Sequence, residues 1–178
     1  MTYSILVSIS RQTLRLISDE PGEISSFQGV SDDRSKRATV IRDYSVSTGL
    51  TGAGNKKNSG MTPLGLHQVR AKIGHNAPIN TVFVGRRATG EIFNADLAQR
   101  YPQRDWILSR ILWLSGKELG FNRLGNVDSM QRYIYIHGTP DSEPMGKALS
   151  HGCIRMRNND LIELFDLIQA GTEVMITA

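Results

Sequence analysis

The 178-residue sequence predicts a mainly β fold, a β-sandwich or partly closed barrel, with one α-helix in the C-terminal region. Three observations predict it. Seventeen glycines are spread along the chain, which implies many turns. Several short segments alternate apolar and polar residues with period two. Apolar residues recur at clear helical spacing in one place, after residue 157.

The elements follow in chain order. Residues 4–10 alternate as Ile5, Val7 and Ile9, and residues 13–18 continue with Leu14 and Leu16, so a hairpin is expected with its turn at Arg11 and Gln12. Residues 19–38 are polar and contain Pro21, Gly22 and Gly29, as in a loop that holds a short strand. Residues 40–48 are rich in β-formers and end at Gly49. Residues 49–65 carry five glycines and a proline, and a long irregular segment inside a small domain is often functional. Strands are expected over residues 66–72 and 81–87. Residues 105–115 fit a helix almost as well as a strand, and strand is the preferred reading. The YIYI run at 133–136 reads as a strand. The helix is expected to start at Asn158 or Asn159 as cap, to bury Leu161, Leu164, Phe165 and Ile168, and to stop at Gly171. A last strand is expected over residues 173–177. No internal boundary divides residues 1–178, so a single domain is expected.

Composition excludes several classes. Thirty-nine per cent hydrophobic and 21% charged residues suit a globular chain rather than a disordered or collagen-like one. The net charge is +4, which suits partners bearing carboxylates or phosphates. The basic cluster Arg34, Lys36 and Arg37 lies beside Asp32 and Asp33 and reads as a solvated loop. No aromatic residues interleave with basic ones, so a nucleic-acid partner is not expected. No run of 18 apolar residues suggests a membrane span. The first 16 residues contain serines and Arg11 where a secretory leader would be unbroken and apolar. The expected location is therefore cytoplasmic, or periplasmic if a leader has been removed.

One cysteine is present, which excludes an intramolecular disulfide. Cys153 follows Ser150, His151 and Gly152, and His137 ends the YIYI segment. A thiol attacks as thiolate, and with an ordinary pKa of about 8.5 it needs a base or a positive field at neutral pH. An imidazole can take that proton and return it to a leaving amine. His151, two residues away, and His137, from another strand, are both candidates for that role. Gly152 lets the backbone approach a substrate, and neighbouring amides can converge on a developing oxyanion. Two other readings stand beside this one. A lone cysteine is often a buried, inert apolar residue, and His137, His151 and Cys153 could supply three ligands to zinc. His67 and His75 have no reactive neighbours in sequence and read as strand or loop residues.

The segment HGTPDSEPMGKALSHGCIRMRN, residues 137–158, resembles the signature of the YkuD-type L,D-transpeptidase catalytic domain. Its positions are His137, Ser150, His151, Gly152, Cys153, Ile154 and Arg155. The STG at residues 47–49 and TPLG at 62–65 resemble further elements of that family, and ILVSISRQTLRLI resembles its opening hairpin. The resemblance spans nearly the whole chain, with the cysteine motif the most specific part.

The resemblance implies a YkuD-like β-sandwich or partly closed barrel, with no cofactor and no metal. It makes Cys153 the nucleophile and His137 the general base, oriented by the carbonyl of Gly138. His151 is then placed near the oxyanion site, with the amides of Gly152 and Cys153 as donors. Ser150 belongs to the same loop and is a substrate-binding candidate. Arg155 either holds a substrate carboxylate in a bidentate pair or braces the loop. The implied partners are peptidoglycan stem peptides or muropeptides, with carbapenem-type lactams as covalent inhibitors. The implied chemistry is acyl transfer after the L-centre of the third stem residue, with terminal D-alanine leaving. Water as acceptor gives an L,D-carboxypeptidase that trims tetrapeptides during wall recycling, which is favoured here. An amine acceptor gives cross-linking or D-amino-acid exchange. A non-catalytic peptidoglycan-binding domain on the same fold is the alternative from another class.

Overall fold

The structure is a computed structural model and describes residues 2–18 and 38–178. The basic cluster at 34–37 and the loop strand expected within 19–38 fall outside the described residues. The strands are β1 (Tyr3–Ser8), β2 (Thr13–Ser18), β3 (Thr39–Ser47), β4 (Gly65–Ile73), β5 (Thr81–Val84), β6 (Arg87–Ile92), β7 (Ile107–Gly116), β8 (Tyr135–Gly138), β9 (Ile154–Met156) and β10 (Glu173–Thr177). Two α-helices are described, α1 (Ala95–Arg100) and α2 (Asn158–Leu167).

The strands run β4-β10-β1-β2-β3-β9-β8-β7, and β4 pairs back onto β7. That return pairing closes eight strands into a barrel and leaves the β5–β6 hairpin as an extension beside β7. β1 with β10 and β8 with β9 are parallel pairs. The barrel interior is filled by alternate residues, among them Ile5, Val7, Leu14, Leu16, Leu112, Leu114, Ile136, Ile154 and Met156. α2 adds Leu161, Leu164 and Phe165 to the same cluster, and Ile168, just past its end, completes the apolar stripe read from their spacing.

Among the described residues the expected elements are present, with β9 as a strand that was not expected and with the following further differences. Residues 81–87 are not one strand, because Gly85 and Arg86 take φ of 55° and 64° and form a tight turn between β5 and β6. Residues 133–136 do not start a strand at Tyr133. Asp128 carboxylate oxygens accept from the N–H groups of Leu124 and Gln131 at 2.7 and 2.9 Å, and the resulting turn carries Tyr133 at φ 56°. The strand begins at Tyr135 and includes His137 and Gly138. α2 differs at both ends: Asn158 is not its cap but its first residue, with Arg157 at the cap without a side-chain bond, and the helix ends at Leu167 with Ile168 as C-cap, short of the expected stop at Gly171. α1 is an additional helix of six residues, too short to show a periodic stripe, capped by Asn94 accepting from Leu97 N–H at 3.0 Å.

Residues 105–115, ambiguous in sequence, form β7. Nearly every residue from Leu108 to Leu114 is buried, on both faces, so the alternation that marks a half-exposed strand is absent. His67 lies on β4 and is fully buried. Its Nδ1 contacts Gly65 O at 2.9 Å and its Nε2 contacts Ser129 Oγ at 2.8 Å. Burial, opposed by the Gly65 bond and joined by the Arg132 charge, lowers its pKa to about 4, so it is a neutral structural imidazole. His75 sits exposed in a turn.

Candidate active site

β8 and β9 place the reactive residues. Their parallel register sets Ile136 opposite Ile154 and His137 opposite Arg155. Ile136 and Ile154 point into the barrel. By the period of two, Tyr135 and His137 on β8, and Arg155 with the preceding Cys153, lie on the outer face. There Cys153 packs against the cluster of Phe83, Ile111 and Tyr135. Register alone therefore brings the cysteine and one histidine of the motif onto the same face of adjacent strands.

Cys153 is half-buried. Its Sγ accepts from Tyr135 N–H at 3.4 Å and donates to Tyr133 O at 3.4 Å. Burial pushes the thiol up to about 11. The Asp105 charge adds to that rise, while the Tyr135 N–H and the Arg155 and Arg132 charges oppose it. The resting sulfur is thus a protonated thiol that must lose its proton during attack.

His137 is buried, and its Nδ1 lies 2.7 Å from the carbonyl oxygen of Gly138. A carbonyl oxygen only accepts, so Nδ1 carries the proton and Nε2 is the acceptor nitrogen. Burial lowers the His137 pKa, with the Gly138 bond and Asp105 opposing and Arg155 assisting. The ring is neutral at pH 7, as a proton acceptor must be. Gly138 is needed for its bareness. A Cβ there would come within 2.3 Å of Asn158 Oδ1 and 2.5 Å of Leu108 O. Gly138→Ala should therefore destabilise the fold by about 2 kcal/mol or more, read from the denaturant midpoint, with activity falling as well. An unchanged midpoint would show that β7 and α2 yield easily at this contact.

The loop before β9 is pinned at several points. Ser150 N–H donates to Thr48 O at 2.9 Å, and Leu50 N–H donates to Ser150 O at 2.8 Å. Ser150 is buried, with its hydroxyl donating to Cys153 O and accepting from Gly152 N–H at 3.2 Å. Ser150 thus serves the loop internally, and one of the two amides expected as oxyanion donors, that of Gly152, is engaged with it. Gly152 has φ 120° and lies against Met61 O, where a Cβ would be 3.1 Å away.

His151 is highly exposed at the rim, its Nδ1 3.3 Å from Asp105 Oδ2. Arg155 is buried and donates to Asp105 Oδ1 at 2.8 Å and to Leu149 O at 3.4 Å. Its Nε is buried without a hydrogen-bond partner among the described residues. Burial works against ionisation of Asp105, but its electrostatic interactions with His137 and Arg155 and the hydrogen bond from His151 outweigh it and hold the carboxyl below its ordinary range. Asp105 thus joins two motif residues that come from another segment. The sequence does not single it out, because it stands alone before β7 and shares no spacing with the cysteine motif. Among the described residues, no three His, Cys, Asp or Glu side chains converge as metal ligands. No helix of the described residues is long and apolar enough to cross a membrane.

A family model for the YkuD L,D-transpeptidase catalytic domain matches residues 2–176. Among curated relatives, a 64-residue stretch is 42% identical to a Bacillus subtilis protein named "Putative L,D-transpeptidase YqjB", covering 36% of this chain and 35% of that protein. A 46-residue stretch is 54% identical to B. subtilis "Putative L,D-transpeptidase YkuD", covering 26% of this chain and 28% of that one. The matched stretches thus span about a third or less of these relatives. Among solved structures, Bdellovibrio bacteriovorus Bd1075 superposes with a TM-score of 0.57 at 17% identity, over 98% of this chain and 47% of that one. L,D-transpeptidase 3 from Mycobacterium tuberculosis, in complex with a faropenem-derived adduct, gives 0.52 at 15% identity, over 99% of this chain and 60% of that one. At these identities the structural likeness establishes the fold.

Proposed function

The chain belongs to the YkuD L,D-transpeptidase catalytic-domain family, and from that premise we propose that it is a cysteine acyltransferase acting on peptidoglycan stem peptides, with water as its preferred acceptor. The observation that carries the chemistry is the parallel β8–β9 register. It sets Cys153 and His137 on one face, with Gly138 O fixing the imidazole so that Nε2 can accept. In this reading Sγ attacks the amide carbonyl that follows the L-centre of the third stem residue, and its proton passes to His137 Nε2. The tetrahedral carbon collapses, the C–N bond breaks, and His137 returns the proton to the departing D-alanine amine. Water, deprotonated by His137, then attacks the thioester, and the sulfur leaves as thiol. Gly138 O replaces the carboxylate of a Ser-His-Asp arrangement.

Cys153 is half-buried, so solvent can reach a thioester formed there, as transfer to water requires. Under this reading the catalytic domain trims soluble tetrapeptide muropeptides to tripeptides in the cytoplasm. The names of the relatives favour the second reading, transfer to an amine with cross-linking or D-amino-acid exchange. Mass spectrometry of the protein with a defined disaccharide-tetrapeptide separates them. Loss of one D-alanine is the expected result. Dimers or exchanged stems would move the assignment to the amine acceptor, and an unchanged substrate in every format would overturn both readings.

Lactams test the nucleophile independently. Opening a strained ring joins acyl group and leaving amine in one adduct, and related proteins have been solved with imipenem and with a faropenem-derived adduct. A carbapenem should add its full mass at Cys153, and the adduct should decay by hydrolysis. A permanent adduct beside efficient cross-linking would reject water as acceptor. No adduct would count against an accessible Cys153.

A further inference from the structure

We propose that Thr62 is a positioning residue for acyl transfer, whose hydroxyl locks the Gly152–Cys153 peptide so that the Cys153 N–H is aimed at the oxyanion; this rests on the acyl-transfer reading above. Thr62 is fully buried in the glycine-rich segment between β3 and β4. Its Oγ1 donates to Gly152 O at 2.9 Å and accepts from Gly49 N–H at 2.8 Å. The hydroxyl has one proton, and the Gly152 carbonyl can only accept, so its direction is fixed. The chain runs from Gly49 N–H through Thr62 Oγ1–H to Gly152 O.

The consequence comes from peptide geometry. Gly152 O and Cys153 N–H belong to one planar trans peptide and point in opposite directions. A hydroxyl that holds the oxygen therefore sets the direction of the N–H as well. That N–H sits on the residue that carries the sulfur, so it lies beside the carbonyl under attack. Gly152 N–H is already bonded to Ser150 Oγ at 3.2 Å. Of the two amides expected to serve the oxyanion, the one on Cys153 is the one that Thr62 controls.

Thr62 is itself held rigidly. Its N–H donates to Gly52 O at 3.0 Å, and its carbonyl accepts from Gly54 N–H at 2.9 Å. Arg132 clamps the same segment by donating to Met61 O at 2.6 Å and Gly54 O at 3.2 Å. Gly152, at φ 120°, has wide backbone freedom, and without the Thr62 bond its peptide could rotate. A donor aimed before the reaction stabilises the transition state without a reorganisation cost during it, and loss of one such donor lowers rates by about 100- to 1,000-fold.

The test compares two reactions of the same sulfur in the full chain. Acylation by a carbapenem passes through an oxyanion, whereas alkylation by iodoacetamide does not. Thr62→Val should slow acylation by about 10- to 100-fold and change alkylation by less than about threefold. Thr62→Ser, which keeps the hydroxyl, should restore most of the acylation rate. Thr62→Ala carries the same expectation as Thr62→Val if the latter does not fold. Acylation at the wild-type rate in the folded valine or alanine variant would overturn the proposal. A parallel loss of acylation and alkylation would also overturn it, since the defect would then lie in the thiol. Failure of the wild-type protein to acylate, with alkylation intact, would instead remove the acyl-transfer reading and this proposal with it.

Discussion

Cys153→Ala should abolish turnover of a tetrapeptide stem, with a residual rate at least about a thousandfold below wild type. Nothing else in the sequence can replace the thiol, because Cys153 is the only cysteine. The substitution removes one half-buried sulfur from the edge of the Phe83, Ile111 and Tyr135 cluster, so its effect on stability should stay near 1 kcal/mol. Cys153→Ser should be similarly inactive. A hydroxyl is a far weaker nucleophile than a thiol held at the same position. The measurement is product formation by mass spectrometry, with circular dichroism to verify the fold. Activity of the folded alanine variant above a tenth of wild type would sink the cysteine mechanism. Treatment with a chelator should leave the wild-type rate unchanged, and activity lost to chelator and restored by zinc would revive metal chemistry.

His137→Ala should be the second most damaging change, well beyond His151→Ala. His137 is buried with its tautomer set by Gly138 O, whereas His151 is exposed and hydrogen-bonds to Asp105. The expected losses in acylation rate are about 100- to 10,000-fold for the first and less than about tenfold for the second. The pH profile provides the sharper distinction. The base must be neutral to accept a proton, so the rate is lost as pH falls through the His137 pKa. Burial holds that pKa below the ordinary 6.5, which places the acid limb on the acid side of 6.5. The thiol lies near 11, so the wild-type rate should stay level across neutrality. In His137→Ala the acid limb should disappear. The residual rate should then climb about tenfold per pH unit towards the pKa of the thiol, because only free thiolate can react. Equal acylation rates in His137→Ala and wild type at pH 7 would show that another group is the base.

The sequence by itself determined the β-rich class, the hairpin of β1 and β2, the apolar stripe of α2 and the motif around Cys153. Each is encoded locally. Period-two and helical spacing, turn residues and a contiguous signature all lie within a few residues of one another. Where local signals compete, the sequence is silent or misleading. β7 is buried on both faces and loses its alternation. Two residues in left-handed conformation split the expected strand at 81–87, and the Asp128 turn delays β8 to Tyr135. β9 has three residues and exists as a strand only because β8 and β3 flank it. The site shows the same division. His137, His151 and Cys153 were visible as a cluster, but sequence spacing left either histidine as the base. Tertiary pairing of β8 with β9 places His137 and Cys153 on one face of adjacent strands, while His151 is exposed and meets Asp105. Asp105 and Thr62 bond to the cysteine motif from other parts of the chain, and Arg132 holds the segment that carries Thr62. Their bonds depend on barrel closure, which is a property of long-range strand order that no window of the sequence contains.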